Sequence, residues 1–171
     1  MSRARLEGEL AELHSASFGW ALGCCKGDRG EAEEVLQATY LKVLDGRARF
    51  DGHSAFKTWL FAVIRRTAAE RRRRGWMRAL ALDRWWNGRL ESVPVPDPER
   101  LASRSEATRR LRESLGALPA RQRELLHLVF YQDLSLEEAA QVVGISVGSV
   151  RTHYHRAKIR LRQMLDTRGR S

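Results

Sequence analysis

Between Val147 and Lys158 the chain reads VGSVRTHYHRAK, where Arg151, Arg156 and Lys158 alternate with the hydrogen-bonding side chains of Ser149, Thr152, His153 and His155. Guanidinium and ammonium groups neutralise phosphates, and Arg, Thr and Ser also reach base edges. A helix presenting this set on one face has the chemistry of a duplex-DNA reader. His153 and His155 stand two apart, on different faces of a helix, so they do not share a metal. Cys24 and Cys25 are sequence neighbours with only His14 nearby, too few soft ligands for zinc, and read as small buried helix residues. The carboxylates of GDRGEAEE sit on one helix face. No phosphate loop, clustered metal ligands or nucleophile with a base is present, so no enzyme, cofactor or metal is indicated.

The residues before this basic stretch must position it. In DLSLEEAAQVVGIS, Ser135 and Glu138 have the spacing of a capping box and mark a helix start. Gly144 supplies a left-handed stop, Ile145 an apolar plug and Ser146 the cap of the next helix. Leu136, Ala140, Val143, Ile145, Val150 and Tyr154 form the shared core. A short acidic helix, a tight turn and a basic helix make a helix-turn-helix, whose second helix enters the major groove while the first braces it with its carboxylates turned away. The competing reading is a solvated helical hairpin, and the turn residues weigh against it.

Composition agrees. The 171 residues include 31 Lys+Arg against 21 Asp+Glu, a net charge of +10. Such a balance suits a polyanionic partner, most often nucleic acid. The absence of a disulfide framework fits a reducing, cytosolic setting. No positive-then-apolar leader and no apolar run of membrane-spanning length is seen, so neither secretion nor membrane insertion is expected.

Helical periodicity extends over most of the chain, without strand-type alternation. In EAEEVLQATYLKVL (Glu31 to Leu44), Val35, Tyr40, Leu41 and Leu44 are expected to share the apolar stripe. GRARFDGHS reads as a loop, and SAFKTWLFAVIRRTAAERRRR as a helix capped by Ser54, with Phe56, Trp59, Leu60, Val63 and Ile64 facing the core. The stretch WMRALALDRWWNGRL allows a short amphipathic helix. After it, Pro94, Pro96 and Pro98 exclude regular helix. The expected fold class is all-α: two small helical domains, residues 6–76 and 107–168, joined by a flexible linker, 77–106, with the helix-turn-helix in the second.

LPARQRELLHLVFYQDLSLEEAAQVVGISVGSVRTHYHRAKIRLRQML (Leu118 to Leu165) resembles domain 4 of the extracytoplasmic-function sigma factors, whose habitual string is LPxRQRE, an SxEEIA-type helix, GIS-x-GTV and a basic helix with HRA. AEEVLQATYLKVL resembles the family's AEDLVQETFLRAW, and FDGHSAFKTWLFAVIRRTAAERRRR its F…SFRAWLFRIARNLALDRRRR. The order and spacing match over roughly Leu10 to Met164. The chain departs from the pattern at Ala38, Arg66, Glu70 and His153–Tyr154, changes that bear on promoter preference.

The resemblance implies an alternative sigma factor in the cytoplasm, binding RNA polymerase core and promoter DNA. Glu34, Leu36 and Gln37 would dock on the clamp helices of the largest catalytic subunit from an exposed face. Phe50, Asp51, His53 and Ser54 would line a pocket for an extruded base of the −10 element. Lys57, Arg65, Arg66, Arg71, Arg72, Arg73 and Arg74 would neutralise its unpaired strand. Ser149, Arg151, Thr152, His153, His155, Arg156 and Lys158 would read the −35 element. An anti-sigma factor is a further implied partner. The rival is a helix-turn-helix regulator that binds duplex operators without polymerase, and it leaves the first half of the chain unaccounted for.

Overall fold

The computed structural model describes residues 2–85 and 106–168, with side chains over 2–77 and 108–166. All regular elements among them are helical. Helices α1 (Arg3–Glu12), α2 (His14–Cys24), α3 (Arg29–Leu44) and α4 (Phe56–Trp85) make the first half. The second half holds α5 (Glu106–Gly116), α6 (Ala120–Leu126), a π-helical turn (His127–Tyr131), α7 (Leu136–Val143) and α8 (Val147–Arg168).

Local chemistry sets several boundaries. Asp28 caps α3 by accepting from the Glu31 backbone N–H at 2.9 Å. Ser135 and Glu138 form the reciprocal capping box of α7, and Gly144 ends that helix at φ 74°. Ser146 accepts from the Ser149 N–H at 3.2 Å at the start of α8. Ser54 does not cap α4. The Trp59 N–H bonds to the Ala55 carbonyl, which puts Ala55 at the cap position, and the Ser54 hydroxyl donates to that same carbonyl. Helix α4 also continues through Trp76 to Trp85, so the stretch after Trp76 belongs to one long helix at least that far. Trp86, next to Trp85 in the sequence, and the prolines lie outside the described residues.

The apolar stripe of α3 is Ala32, Val35, Leu36, Thr39 and Val43. This corrects the expected one: Tyr40 and Leu44 are half-buried and Leu41 is 50% exposed, whereas Leu36 is 4% exposed. Helix α3 packs against both α2 and α4, and the arc buried between two neighbours is wider and rotated relative to a single stripe. In α4, Leu60, Val63 and Ile64 are buried as expected, together with Phe61, while Phe56 and Trp59 are half-buried.

The core does not stop at the boundary between the halves. Trp20, Leu60, Phe61 and Ile64 share one cluster with Leu125, Leu128, Leu134, Ala139, Ala140 and Val143, and α7 lies on α4. A smaller cluster of Leu118, Leu126 and Ala157, with Tyr154 beside it, ties α6 to α8 and so fixes the second helix of the helix-turn-helix.

The π-helical turn places His127 at the junction. Its ring lies 5.3 Å from that of Trp20 and 5.4 Å from that of Tyr131, and its Nε2 is 3.2 Å from the Gln132 amide nitrogen, a contact suited to a neutral ring accepting there. Burial pushes this imidazole down to about 4 from the usual 6.5. A folded pKa below the unfolded one gives stability that is complete above pH 6.5 and lost as pH falls toward 4. His127 alone is therefore expected to remove on the order of 2–3 kcal/mol between pH 7 and pH 4. Urea midpoints measured at both pH values check this, since the fall should be smaller in His127→Gln; equal falls in the two proteins would contradict it.

Candidate nucleic-acid interface

The basic face of α8 is open. Ser149, Arg151, Thr152, His155, Arg156 and Lys158 are exposed, His153 is half-buried at its edge, and Val150 and Ala157 are buried on the opposite side. Buried packing of one face leaves the other rigidly presented, which a groove-reading helix requires. Thr152 donates back to the Gly148 carbonyl at 3.1 Å, which holds its hydroxyl against the helix. The Lys158 ammonium sits 4.8 Å over the Tyr154 ring, which steadies it beside the face. Arg151 Nη2 reaches Glu137 of α7 at 3.3 Å, so one carboxylate of the bracing helix stands beside the reading face instead of away from it. The other carboxylate, Glu138, is held below the usual carboxylate range chiefly by the Ser135 backbone N–H.

The residues expected at the −10 element fall into two groups. Phe50 is half-buried and packs edge-on against Phe56 at 5.3 Å and against Trp59 at 5.4 Å, so an aromatic trio anchors the loop. Above it Asp51 and His53 are exposed, and the Asp51 carboxylate accepts from the His53 N–H at 3.1 Å, a turn that shapes the loop tip. Ser54 is half-buried. Arg66, Arg72, Arg73 and Arg74 are exposed along α4. The remaining cations are engaged within the chain. Lys57 donates to the Gln132 carbonyl at 2.6 Å, Arg65 holds Glu124, and Arg71 pairs with Glu34.

That last pair links the arginine run to the expected docking face of α3. Glu34 and Gln37 are exposed there, and Leu36 is not. The exposed apolar group one turn beyond Gln37 is Leu41, which the sequence reading placed in the core. Its signal was present, four residues after Gln37, the spacing that puts two side chains on one helix face. Lys42, between α3 and α4, donates to Glu70 at 2.7 Å and to Thr67 at 3.1 Å, and this contact holds the Glu70 carboxyl below its ordinary range. Those bonds fix the helix pair that carries both faces.

Both cysteines are half-buried at the end of α2, and burial pushes the Cys25 thiol up to about 11 and the Cys24 thiol higher still. Neither is ionised at neutral pH, which argues against thiolate chemistry there. Among the described residues no His, Cys, Asp and Glu group is placed to hold a metal, and no helix is long and apolar enough to cross a membrane.

Residues 12–85 match the family described as Sigma-70 region 2, and residues 108–161 match Sigma-70, region 4. The RNA polymerase sigma factor YlaC of Bacillus subtilis is 33% identical over 132 residues, which span 77% of this chain and 76% of that protein. The chain belongs to the extracytoplasmic-function sigma-70 family. The ECF RNA polymerase sigma factor SigX of Bacillus subtilis is 30% identical over 146 residues, 81% of this chain and 73% of that one. Among solved structures, the sigma factor RpoE of Bartonella quintana, in complex with the anti-sigma factor NepR, aligns with TM-score 0.71 at 25% identity over 94% of this chain and 96% of that one. CnrH, in complex with the cytosolic domain of CnrY, shares the fold at TM-score 0.64 and 23% identity, covering 97% of this chain and 90% of that one. The function is that of an alternative sigma factor in transcription initiation, a family of transcription factors and not of enzymes. A regulator that reads operators unaided accounts for α7 and α8 but not for the region 2 match.

Proposed function

We propose that this sigma factor divides promoter recognition and polymerase binding among the three faces just described, and catalyses nothing itself. Residues 6–76 form the unit that docks on polymerase core and handles the −10 element, 77–106 join it to the rest, and 107–168 read the −35 element. Glu34 and Gln37 of α3 meet the clamp helices of the largest catalytic subunit, with Leu36 beneath them as support and Leu41 as the apolar neighbour at the contact. Phe50, Asp51, His53 and Ser54 receive an extruded base, and Arg66 with Arg72 to Arg74 follow the unpaired strand, joined by Lys57, Arg65 and Arg71 when these are released. The observation that carries the reading is the coexistence, in one chain with both family matches, of an exposed basic face on α8 and an exposed Glu34–Gln37 face on α3.

Run-off transcription with purified core polymerase tests the reading as a whole: addition of the chain should confer initiation at its own promoters, and failure to do so would sink it. The docking face has its own test. Gln37→Ala should weaken core binding about tenfold, roughly 1.4 kcal/mol, with the thermal midpoint unchanged. Leu36→Ala should do the opposite, lowering the midpoint through the cavity it leaves. Fluorescence titration with core and thermal melts separate the two, and unchanged core affinity in Gln37→Ala would remove the assigned face.

A cytoplasmic setting follows from these partners. The RpoE neighbour is described with an anti-sigma factor, which supports the reading that this chain is held by one as well. Such a partner covers the same surfaces as core, so the two should exclude each other in co-purification from the native host.

A further inference from the structure

A cavity of about 500 Å³ opens where α2 and α4 meet α5, α6, the π-helical turn and α8. None of its lining residues belongs to the docking face of α3 or to the basic face of α8. Its walls are aliphatic: Leu111 and Leu115 of α5, Leu126 of α6 and Leu161 of α8. Phe130 and Tyr131 add two rings that are 65% and 77% exposed. Apolar surface gathered in a concave site and left uncovered marks a place for a ligand or partner. The volume lies within the range of roughly 300–1,000 Å³ typical of small-molecule sites. A partner helix needs instead a groove open along its length.

The ionisable groups of the lining sort by sign. Lys26, Arg72 and Arg123 are its cations, and Glu124 is its one carboxylate among the described residues. That carboxylate is already held by Arg65 at 3.1 Å and Arg121 at 3.2 Å. Arg123 donates to the Gly116 and Leu118 carbonyls at 3.1 and 3.5 Å, neutral acceptors that leave its charge unbalanced. Lys26 and Arg72 are exposed, and among the described residues neither has an ion-pair partner. Burial keeps the His127 imidazole and the Cys24 thiol, both in the wall, uncharged at neutral pH. Apolar space is thus combined with unbalanced positive charge and no free anion.

We propose that this cavity binds a small amphipathic anion, an apolar chain or ring system carrying a single carboxylate. The body lies against the leucines of α5, α6 and α8, and the head meets Lys26 and Arg72. A neutral apolar molecule gains only the walls, an apolar cation meets like charge, and an inorganic anion forgoes the walls. Selection is therefore by head-group sign and apolar body together. The leucines belong to the second half of the chain, Lys26 and Arg72 to the first. One ligand contacts both, and its binding adds to the stability of the folded chain. No polymerase or DNA takes part in this binding.

Isothermal titration of the full chain with octanoate, 1-octanol and octylamine tests the assignment. Octanoate should bind at one site and raise the thermal midpoint, with the alcohol and the amine about tenfold weaker or more. Lys26→Gln/Arg72→Gln should weaken octanoate about tenfold and leave octanol unchanged. Leu111→Asp, at a position 40% exposed, should weaken both, whereas Ile159→Asp, an exposed site outside the cavity, makes the same charge change and should weaken neither. Ala120→Trp, which fills the mouth from an exposed position, is the second blocking variant should Leu111→Asp lose its circular-dichroism helicity. Equal octanoate affinity in Lys26→Gln/Arg72→Gln and the unaltered chain would overturn the head-group assignment. Undiminished binding in the blocking variants would put the ligand elsewhere. No octanoate binding up to millimolar concentration would sink the proposal and leave the cavity to an apolar segment of a protein partner.

Discussion

Trp20→Ala is expected to cost about 3–5 kcal/mol of stability, a large share of what a domain of this size possesses. Trp20 is fully buried where α2, α4 and the π-helical turn meet. Its indole N–H donates to the Phe61 carbonyl at 3.0 Å, its ring stacks on Phe61 with centroids 6.0 Å apart, and the His127 ring lies 5.3 Å from it. Removing it deletes apolar area, leaves a cavity bordered by both halves and withdraws the hydrogen bond that α2 makes to the Phe61 carbonyl of α4. Trp20→Phe keeps most of the area and loses the bond, so its cost should be nearer 1–2 kcal/mol. Urea unfolding followed by circular dichroism checks both values. A loss below about 1 kcal/mol in Trp20→Ala would mean that the site collapses without strain and that the junction between the halves is not the centre of the core.

The second large effect concerns reading. Arg151 is exposed on α8 and pairs with the exposed Glu137, a surface pair worth at most about 1 kcal/mol and easily given up to DNA. If Arg151 reads a base, Arg151→Ala should lose about 1–3 kcal/mol at the −35 element, roughly ten- to a hundred-fold, and relax preference at one base pair. Glu137→Gln should strengthen binding slightly, because the arginine no longer has a carboxylate to leave. Titrations of holoenzyme on promoter variants distinguish this from a phosphate contact, for which Arg151→Ala would weaken all sequences alike and reduce the salt dependence. Full activity of Arg151→Ala on a −35-dependent promoter would remove this face from DNA recognition.

Much of the helix-turn-helix was legible before any coordinates, because its signals are local. A hydroxyl three residues before a glutamate, a glycine at the helix end and a serine two residues later act through bonds that span a single turn, and Ser135, Gly144 and Ser146 do what their spacing implies. The exposed positions of α8 followed from the same arithmetic, with His153 at the margin. The cap of α4 was placed one residue early, since Ser54 and Ala55 differ only in which carbonyl starts the ladder.

On α3 the limits of periodicity become visible. Leu36 and Leu41 are both apolar and both plausible members of a stripe, and a helix packed on one side would leave the choice to its moment. With α2 on one flank and α4 on the other, Leu36 is enclosed and Leu41 is left at the surface. The π-helical turn at His127–Tyr131 had no marker either, for its extra residue is accommodated by packing of His127 against Trp20, which is remote in the chain.

By itself, then, the order of residues determined the helical class, the caps and turns, the basic reading face and the membership in a family, because each depends on contacts within a few residues or on motifs of fixed spacing. Tertiary structure alone decided which cations are available. Lys57, Arg65 and Arg71 are as basic in sequence as Arg66 and Arg72, yet Gln132, Glu124 and Glu34 hold the first three. Those partners lie dozens of residues away, and a charge pair that closes only when two helices pack leaves no periodic trace in the chain.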